Sequence, residues 1–160
     1  MKRILEVVIV VVLAALVSGI LLAQSDPFIG TWKLNAAKSK FSPGPAPQST
    51  TRTYEAQGSG LKISNDGTAA DGSRIAYNFT ANYDGKDNQI SGTGVAGGAD
   101  TIALKRINAT TVEAATKRAG KVNATTRNVL SKDGKSFTAT SKGKDANGKP
   151  TSSVAVWEKQ

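Results

Sequence analysis

Five Asp-Gly or Asn-Gly pairs divide the chain after residue 60 into short runs, and this pattern limits the fold more than any other feature. Such pairs tolerate the positive φ that tight hairpin turns require. The runs between them are rich in Thr, Val, Ile and Tyr, and no long segment shows the 3.6-residue apolar period of a helix. The sequence therefore predicts an all-β, antiparallel up-and-down meander. Its turns are predicted at Asp66-Gly67, Asp71-Gly72, Asp84-Gly85, Asp133-Gly134 and Asn147-Gly148.

The clearest strand covers residues 74–83, where side chains alternate between a core face and a solvent face. Its core face carries Ile75, Tyr77, Phe79, Ala81 and Tyr83. Other strands are predicted at 29–34, 51–56, 61–64, 89–94, 101–107, 111–118, 122–130, 136–142 and 152–159. Residues 35–49 include Pro43, Pro45 and Pro47, too many prolines for a central strand. This segment is predicted to cross the surface or to form a flap at a barrel end.

A consecutive meander of about eight to ten short strands tends to close into a barrel, because closure removes exposed strand edges. The last strand, at residues 154–159, is then expected to pair with the first. On that first strand Gly30 lets the backbone pass close to a neighbour. Trp32 is predicted to plug one end of the barrel.

Residues 1–23 have the layout of a secretory signal peptide. Lys2 and Arg3 precede an apolar run from Val7 to Ala23, and cleavage after Ala23 would release residues 24–160 as one domain. The alternative is an uncleaved membrane anchor, although the run is shorter than the roughly 20 residues that span a bilayer. We therefore expect a periplasmic or secreted protein without stable membrane insertion after cleavage. The chain has no cysteine, so packing without disulfides must stabilise it.

Gly30-Thr31-Trp32 at the start of an exported meander resembles the opening of lipocalin-like, or more broadly calycin, β-barrels. The stretch from Asp26 to Phe41 and the terminal Val156-Trp157-Glu158-Lys159 are similar to those of small exported bacterial proteins of this barrel class. The resemblance implies a barrel that binds small hydrophobic molecules in its interior. It also implies a basic residue on the last strand that packs across the tryptophan, and Lys159 is the nearest match.

The later strands place small side chains on the face that would continue the core. A barrel lined by Ala, Thr and Ser is expected to leave an internal space; the alternative is a flattened barrel whose aromatic side chains fill the middle. The residues on this face are Val112, Ala114, Thr116, Val122, Ala124, Thr126, Phe137, Ala139 and Ser141.

Arg106 shares a face with Ile102 and Leu104. It either enters the cavity and pairs with a ligand carboxylate or lies exposed at a strand end. The residues predicted to contact a ligand are Trp32, Tyr77, Phe79, Arg106, Thr116, Thr126 and Phe137.

The chain is basic, with a net charge of +9, and loss of Lys2, Arg3 and Glu6 with the signal peptide leaves +8. Nucleic-acid binding requires basic residues clustered on one face with aromatic residues between them. Here Lys and Arg are scattered, and aromatic residues make up only 6% of the chain. We therefore predict no specific nucleic-acid partner, and a surface whose charge favours solubility or attraction to anionic cell surfaces.

The sequence also argues against common catalytic chemistry. Without histidine or cysteine, the usual nucleophile–base pairs and the commonest transition-metal ligands are absent. Most aspartates fall in predicted turns, where their backbone hydrogen bonding explains them, and no calcium loop appears. An enzyme would have to use Glu55, Glu113 or the tyrosines. We predict a non-catalytic protein with no metal and no cofactor.

The predicted function is therefore an exported lipocalin-like barrel that binds a small hydrophobic or amphipathic molecule in its interior. The alternative is a cell-envelope structural or interaction module with a solid core, whose basic surface contacts anionic polymer or lipid. The two differ in their salt dependence, because surface binding driven by charge weakens steeply as ionic strength rises. The sequence carries no prediction of oligomeric state.

Overall fold

The computed structural model describes residues 25–160, and these form a sheet of eleven antiparallel strands. The predicted signal peptide, residues 1–23, lies outside the described residues. The strands are β1 (Gly30–Ser42), β2 (Ser49–Gln57), β3 (Gly60–Thr68), β4 (Arg74–Ala81), β5 (Asp84–Gln89), β6 (Ser91–Thr93), β7 (Thr101–Asn108), β8 (Thr111–Arg118), β9 (Lys121–Leu130), β10 (Ser136–Lys144) and β11 (Pro150–Lys159), with a 3-10 turn at Ala96–Gly98. In this part of the chain no helix is long and apolar enough to cross a bilayer.

Most neighbours in the sheet are also neighbours along the chain. From β7 through β11 to β1, and on to β4, each strand pairs with the next in an up-and-down meander. The first and last of these strands are joined because β1 pairs with β11, in a register that places Trp32 opposite Lys159 and Leu34 opposite Trp157. The predicted antiparallel meander and the pairing of its last strand with its first are confirmed.

The barrel is nearly closed, and the last gap is bridged by residues 84–93, which we call the seam segment. Its first half, β5, pairs with β7, and its second half, β6, pairs with β4. Between the halves, the backbone N–H of Ile90 donates to the carbonyl oxygen of Asp100 at 2.9 Å. This division of one segment between two neighbours brings the count to eleven strands, where about eight to ten were expected.

The first strand is longer than predicted and continues to Ser42, where residues 35–49 were expected to leave the sheet. A bulge between Asn35 and Lys40 makes this continuation work. Within it, the side-chain oxygen of Asn35 accepts from the N–H of Lys38 at 3.0 Å, and Ser39 Oγ accepts from the N–H of Val156 at 2.9 Å. Side chains thus replace ladder hydrogen bonds at the bulge, and the proline-rich crossing shortens to residues 43–48.

Two of the five predicted glycine turns are wrong. Asp66-Gly67 lies inside β3, where a Cβ on Gly67 would come within 2.1 Å of the carbonyl oxygen of Ser49. This glycine therefore allows close strand contact instead of a reversal. Asp84-Gly85 lies at the start of β5, where the register with β7 shifts between Asp84 and Asp87. The positive φ of Gly85 allows the backbone to adopt this irregular conformation. The other three pairs lie in turns, as predicted.

Five aromatic side chains close one end of the barrel, and we call them the aromatic plug: Phe28, Trp32, Tyr54, Phe137 and Trp157. None is more than 8% exposed. Trp32 meets Phe137 edge-on at 4.9 Å, and Phe137 stacks on Trp157 at 5.8 Å between ring centroids. The indole N–H of Trp32 donates to the carbonyl oxygen of Phe28 at 2.8 Å, which satisfies its buried polar atom. This is the position predicted for Trp32.

Lys159 packs across the outer face of this plug, as the family resemblance implied. Its ammonium nitrogen lies 5.1 Å from the centroid of the Trp32 ring, within the range of a cation–π contact. The neighbouring Gly30 leaves room for it, because a Cβ there would lie 2.9 Å from Lys159 Cε. Gly30 also has a φ of +131°, a conformation that side chains rarely adopt.

Replacing Gly30 with alanine should lower the free energy of unfolding by about 1–3 kcal/mol, because the backbone conformation is strained for any residue with a Cβ. Urea denaturation followed by tryptophan fluorescence measures this cost. The cost should persist in a Lys159→Ala background, since backbone strain does not depend on the lysine. If the cost vanished there, the side-chain clash and not the backbone would explain the glycine.

Candidate ligand-binding cavity

A cavity of about 430 Å³ lies inside the barrel. Small-molecule sites in proteins have volumes of roughly 300–1,000 Å³, so this one can accommodate a small organic ligand. Its wall is mainly apolar because the inward-facing positions of most strands are aliphatic or aromatic. The aliphatic part of the wall includes Leu34, Ile63, Ile75, Ile102, Leu104 and Val112. Of the two interiors considered from the sequence, the open one is found.

The cavity has a floor and a mouth. The floor is the inner side of the aromatic plug, where Phe28, Tyr54 and Trp157 line the space. At the opposite end the lining reaches three loops, which carry Pro43, Gly97 and Asp145; we call this end the mouth. The proline-rich crossing at residues 43–48 therefore borders the mouth, in keeping with the predicted flap at a barrel end.

Small side chains do line one wall, as the alternation of β8, β9 and β10 predicted. Thr116 and Thr126 both border the cavity, and the Thr126 hydroxyl donates to Ser141 Oγ at 3.0 Å. The other small residues on this wall are Ala114, Ala124, Ala139 and Ser141. Val122 was expected on the same face but is 58% exposed, because it lies beside the β8–β9 turn, where solvent reaches it.

The aromatic residues predicted to contact a ligand occupy two different places. Tyr77 and Phe79 on β4 line the cavity. Trp32 and Phe137 belong to the aromatic plug and do not appear in the cavity wall. They support the floor from below, because Phe137 stacks on Trp157.

Arg106 lies outside the cavity, where it ties the segment before β1 to the barrel. It forms an ion pair with Asp26 and its guanidinium stacks on the Tyr83 ring at 3.9 Å. A further hydrogen bond runs from Arg106 to the carbonyl oxygen of Ala109 at 3.3 Å. Of the two positions considered from the sequence, neither is found: Arg106 is half-buried and already has an acidic partner.

A different arginine, Arg52 on β2, lines the cavity near its floor. Its guanidinium stacks on Trp157 at 4.4 Å, and its Nε donates to the side-chain oxygen of Asn65 at 2.7 Å. Burial would lower the pKa of Arg52, but the adjacent hydroxyls of Tyr54 and Tyr77 outweigh this effect and raise it. The guanidinium therefore stays charged inside the barrel at every physiological pH.

Several buried polar atoms around the cavity have no hydrogen-bond partner among residues 25–160. They include the amide nitrogen of Asn65 and the indole nitrogen of Trp157, and both side chains also contact Arg52. The Thr50 hydroxyl and the side-chain oxygen of Asn128 are likewise unpartnered, and both residues line the cavity. Buried polar groups are rarely left unpaired in native proteins. This part of the wall therefore favours a ligand that carries hydrogen-bonding groups.

The sequence contained a signal for this polar cluster. Thr50, Arg52 and Tyr54 alternate along β2, so an inward Tyr54 implies an inward Arg52. Across the sheet, Arg52 pairs with Asn65, and Asn65 pairs with Tyr77. From the sequence, the alternation of β2 was not assigned to faces, because its six predicted residues place polar side chains on both faces and no aliphatic side chain larger than Ala56 on either.

The fold and the site together define an antiparallel β-barrel with an internal, mainly apolar cavity. The described residues hold no group of three acidic side chains placed to bind a metal ion. No family model matches the sequence, and no curated protein matches it. Among solved structures, a redesigned β-barrel bound to DFHBI matches with 14% identity and a TM-score of 0.42, over 83% of this chain and 95% of that one. Zebrafish ileal bile acid-binding protein complexed with cholic acid matches with 9% identity and a TM-score of 0.46, over 84% and 99%.

The alkaline stability of the barrel should depend on Tyr83. Burial, together with a hydrogen bond to Asp26, raises the pKa of Tyr83 in the folded state. In the unfolded chain the phenol ionises near pH 10, so the unfolded state binds fewer protons there and stability falls as pH rises above that value. Tyr83→Phe should flatten this fall. Urea midpoints of both proteins across the alkaline range measure the difference, and parallel curves would contradict the prediction.

Proposed function

We propose that this protein is an exported lipocalin-like barrel that binds a small hydrophobic or amphipathic molecule in its interior, without catalysis. The observation that carries the proposal is the cavity of about 430 Å³ between a closed aromatic floor and a mouth bordered by loops. Enclosure by apolar side chains provides binding energy, since each Å² of apolar surface removed from water contributes roughly 25 cal/mol. A few polar groups in such a wall orient the ligand.

In this proposal the ligand contacts come from both halves of the barrel. Tyr77 and Phe79 provide aromatic surface from β4, and Thr116 and Thr126 provide hydroxyl groups from the wall of small residues. Trp32 and Phe137 contribute indirectly, because they hold the floor in place. Arg106 acts at the closed end through its ion pair with Asp26.

The alternative function, an envelope module with a solid core, has less support because the barrel interior contains a cavity. Its other component, a basic surface, is a property of the sequence. Charge spread over the surface attracts many anionic partners and selects none. The cavity is therefore the more specific feature.

Two alanines on β8 allow a matched test of interior binding. Ala114 lines the cavity, whereas its neighbour Ala115 does not and lies on the opposite face of the strand. The uncharged fluorescent probe N-phenyl-1-naphthylamine is titrated into the wild type, Ala114→Phe and Ala115→Phe. Ala114→Phe should weaken probe binding by about tenfold or more, because the phenyl group fills volume that the ligand needs.

The control variant Ala115→Phe should bind the probe as the wild type does, and added salt should change neither affinity much. Circular dichroism confirms that each variant is folded. Absence of binding by the wild type, or equal loss in both variants, would contradict interior binding. Salt-sensitive binding of the anionic polymer heparin, without binding of the uncharged probe, would favour the surface alternative.

The export part of the proposal rests on residues 1–23 and has a separate test. When the full sequence is expressed in a bacterial host, the mature protein should be found outside the cytoplasm with Gln24 as its first residue. Intact-mass measurement of the purified protein determines this end. A chain that begins at Met1 and fractionates with membranes would support the uncleaved anchor instead.

A further inference from the structure

The cavity floor holds a positive charge that no acidic side chain of the described chain neutralises. We propose that Arg52, Asn65 and Trp157 bind the anionic head group of an amphipathic ligand, a carboxylate or sulfonate, whose apolar part extends toward the mouth. This inference rests on the proposed function and adds to it the charge and the orientation of the ligand.

The first argument is the contrast between Arg52 and other arginines. Arg74, Arg106 and Arg127 each form an ion pair with an acidic side chain. Arg118 forms no ion pair with the described residues, but it is exposed to water and donates to the carbonyl oxygen of Ala146 at 3.0 Å. Among residues 25–160, Arg52 forms none. A charge removed from water without an opposite charge is costly, and a ligand anion would offset that cost. Among the described residues that line the cavity, the only acidic one is Asp145, which lies at the mouth.

The second argument is that the guanidinium is already held in place. Stacking on Trp157 and the hydrogen bond from Nε to Asn65 fix its plane. Its other neighbours are the Tyr54 and Tyr77 hydroxyls, and among residues 25–160 no carboxylate pairs with it. The fork of its two terminal nitrogens matches the two oxygens of a carboxylate or sulfonate. A rigid donor pair loses little entropy when it binds, because its side chain is ordered before the ligand arrives.

The third argument is the identity of the unpartnered atoms beside Arg52. The amide nitrogen of Asn65 and the indole nitrogen of Trp157 are hydrogen-bond donors, and neither has an acceptor. Both residues are buried, at 3% and 4% exposure. Beside the guanidinium, two buried donors therefore lack an acceptor, which a ligand anion provides and an ammonium group does not.

The orientation follows from where these donors lie. Trp157 belongs to the aromatic plug, so the donors stand at the floor, and the way to the mouth passes small and aliphatic side chains such as Ala139 and Ile75. A ligand with its anion on Arg52 thus has its apolar part along this wall. The Tyr54 and Tyr77 hydroxyls flank the guanidinium and add donors for the same head group.

A pair of probes that differ by one sulfonate separates this inference from the proposed function. 1-Anilinonaphthalene-8-sulfonate carries the anion, and N-phenyl-1-naphthylamine lacks it. Both are titrated at constant ionic strength into the wild type, Arg52→Gln and the control Arg127→Gln, which removes the same charge from an exposed ion pair. Arg52→Gln should weaken binding of the sulfonate by about tenfold to a hundredfold, because charged hydrogen bonds are lost.

In the same experiment the uncharged probe should bind Arg52→Gln about as well as the wild type, and Arg127→Gln should bind both probes normally. An equal loss of both probes would mean that Arg52 only supports the floor, which would overturn the inference. Unchanged sulfonate binding in Arg52→Gln would overturn it as well. If neither probe binds the wild type, the proposed function itself fails.

A second variant keeps the inference testable if Arg52→Gln does not fold. Asn65→Asp retains the acceptor for Arg52 and places a carboxylate beside the guanidinium. This internal anion should raise the melting temperature of the ligand-free protein and weaken sulfonate binding by about tenfold or more, while the uncharged probe still binds. Tighter or unchanged sulfonate binding would contradict an anion site at Arg52.

Discussion

The aromatic cluster of Trp32, Phe137 and Trp157 is the interaction on which the rest of the barrel depends. It joins side chains of β1, β10 and β11, so it stabilises the place where the first and last strands meet. Each such aromatic pair contributes about 0.5–1.5 kcal/mol beyond the burial of its surface. The hydrogen bond from Trp32 to Phe28 also holds the segment before β1 beneath the barrel, where the Asp26–Arg106 ion pair fastens it.

Much of the fold could be predicted because it depends on local signals. Alternation along residues 74–83 identified β4 and its inward face, and the pairing of β11 with β1 followed from the need to remove free edges. The errors arose where one residue type serves two purposes. Glycine permits both a turn and a close strand contact, so Asp66-Gly67 was assigned to a turn although its surroundings needed space. The extension of β1 to Ser42 depends on Ser39 and on Val156 of a distant strand, which no local pattern records.

The site was less predictable than the fold, because its chemistry depends on which partners a charged residue has. Sequence spacing placed Arg106 on the same face as Ile102 and Leu104. It could not show that the guanidinium would form an ion pair with Asp26. Arg52 also lies on the inward face of its strand, but no acidic side chain of the described residues pairs with it. Only the folded structure separates the two arginines, because it places Arg52 against Asn65 and Trp157. The wall of small residues, in contrast, followed directly from the alternation of β8, β9 and β10. Side-chain size is a property of each residue, whereas electrostatic compensation belongs to the assembled structure.

The pairing of β1 with β11 also determines when the barrel can be completed. Residues such as Trp32 and Lys159 meet only after all the strands between them have been synthesised, and contacts between such distant positions slow folding because a long loop must close first. Until then β1 has β2 on one side and an unpaired edge on the other. The earlier strands alone therefore lack the pairing that closes the barrel. The last strand, β11, closes the barrel by pairing with β1. Removal of β11 alone would leave every earlier strand present but the barrel open along β1.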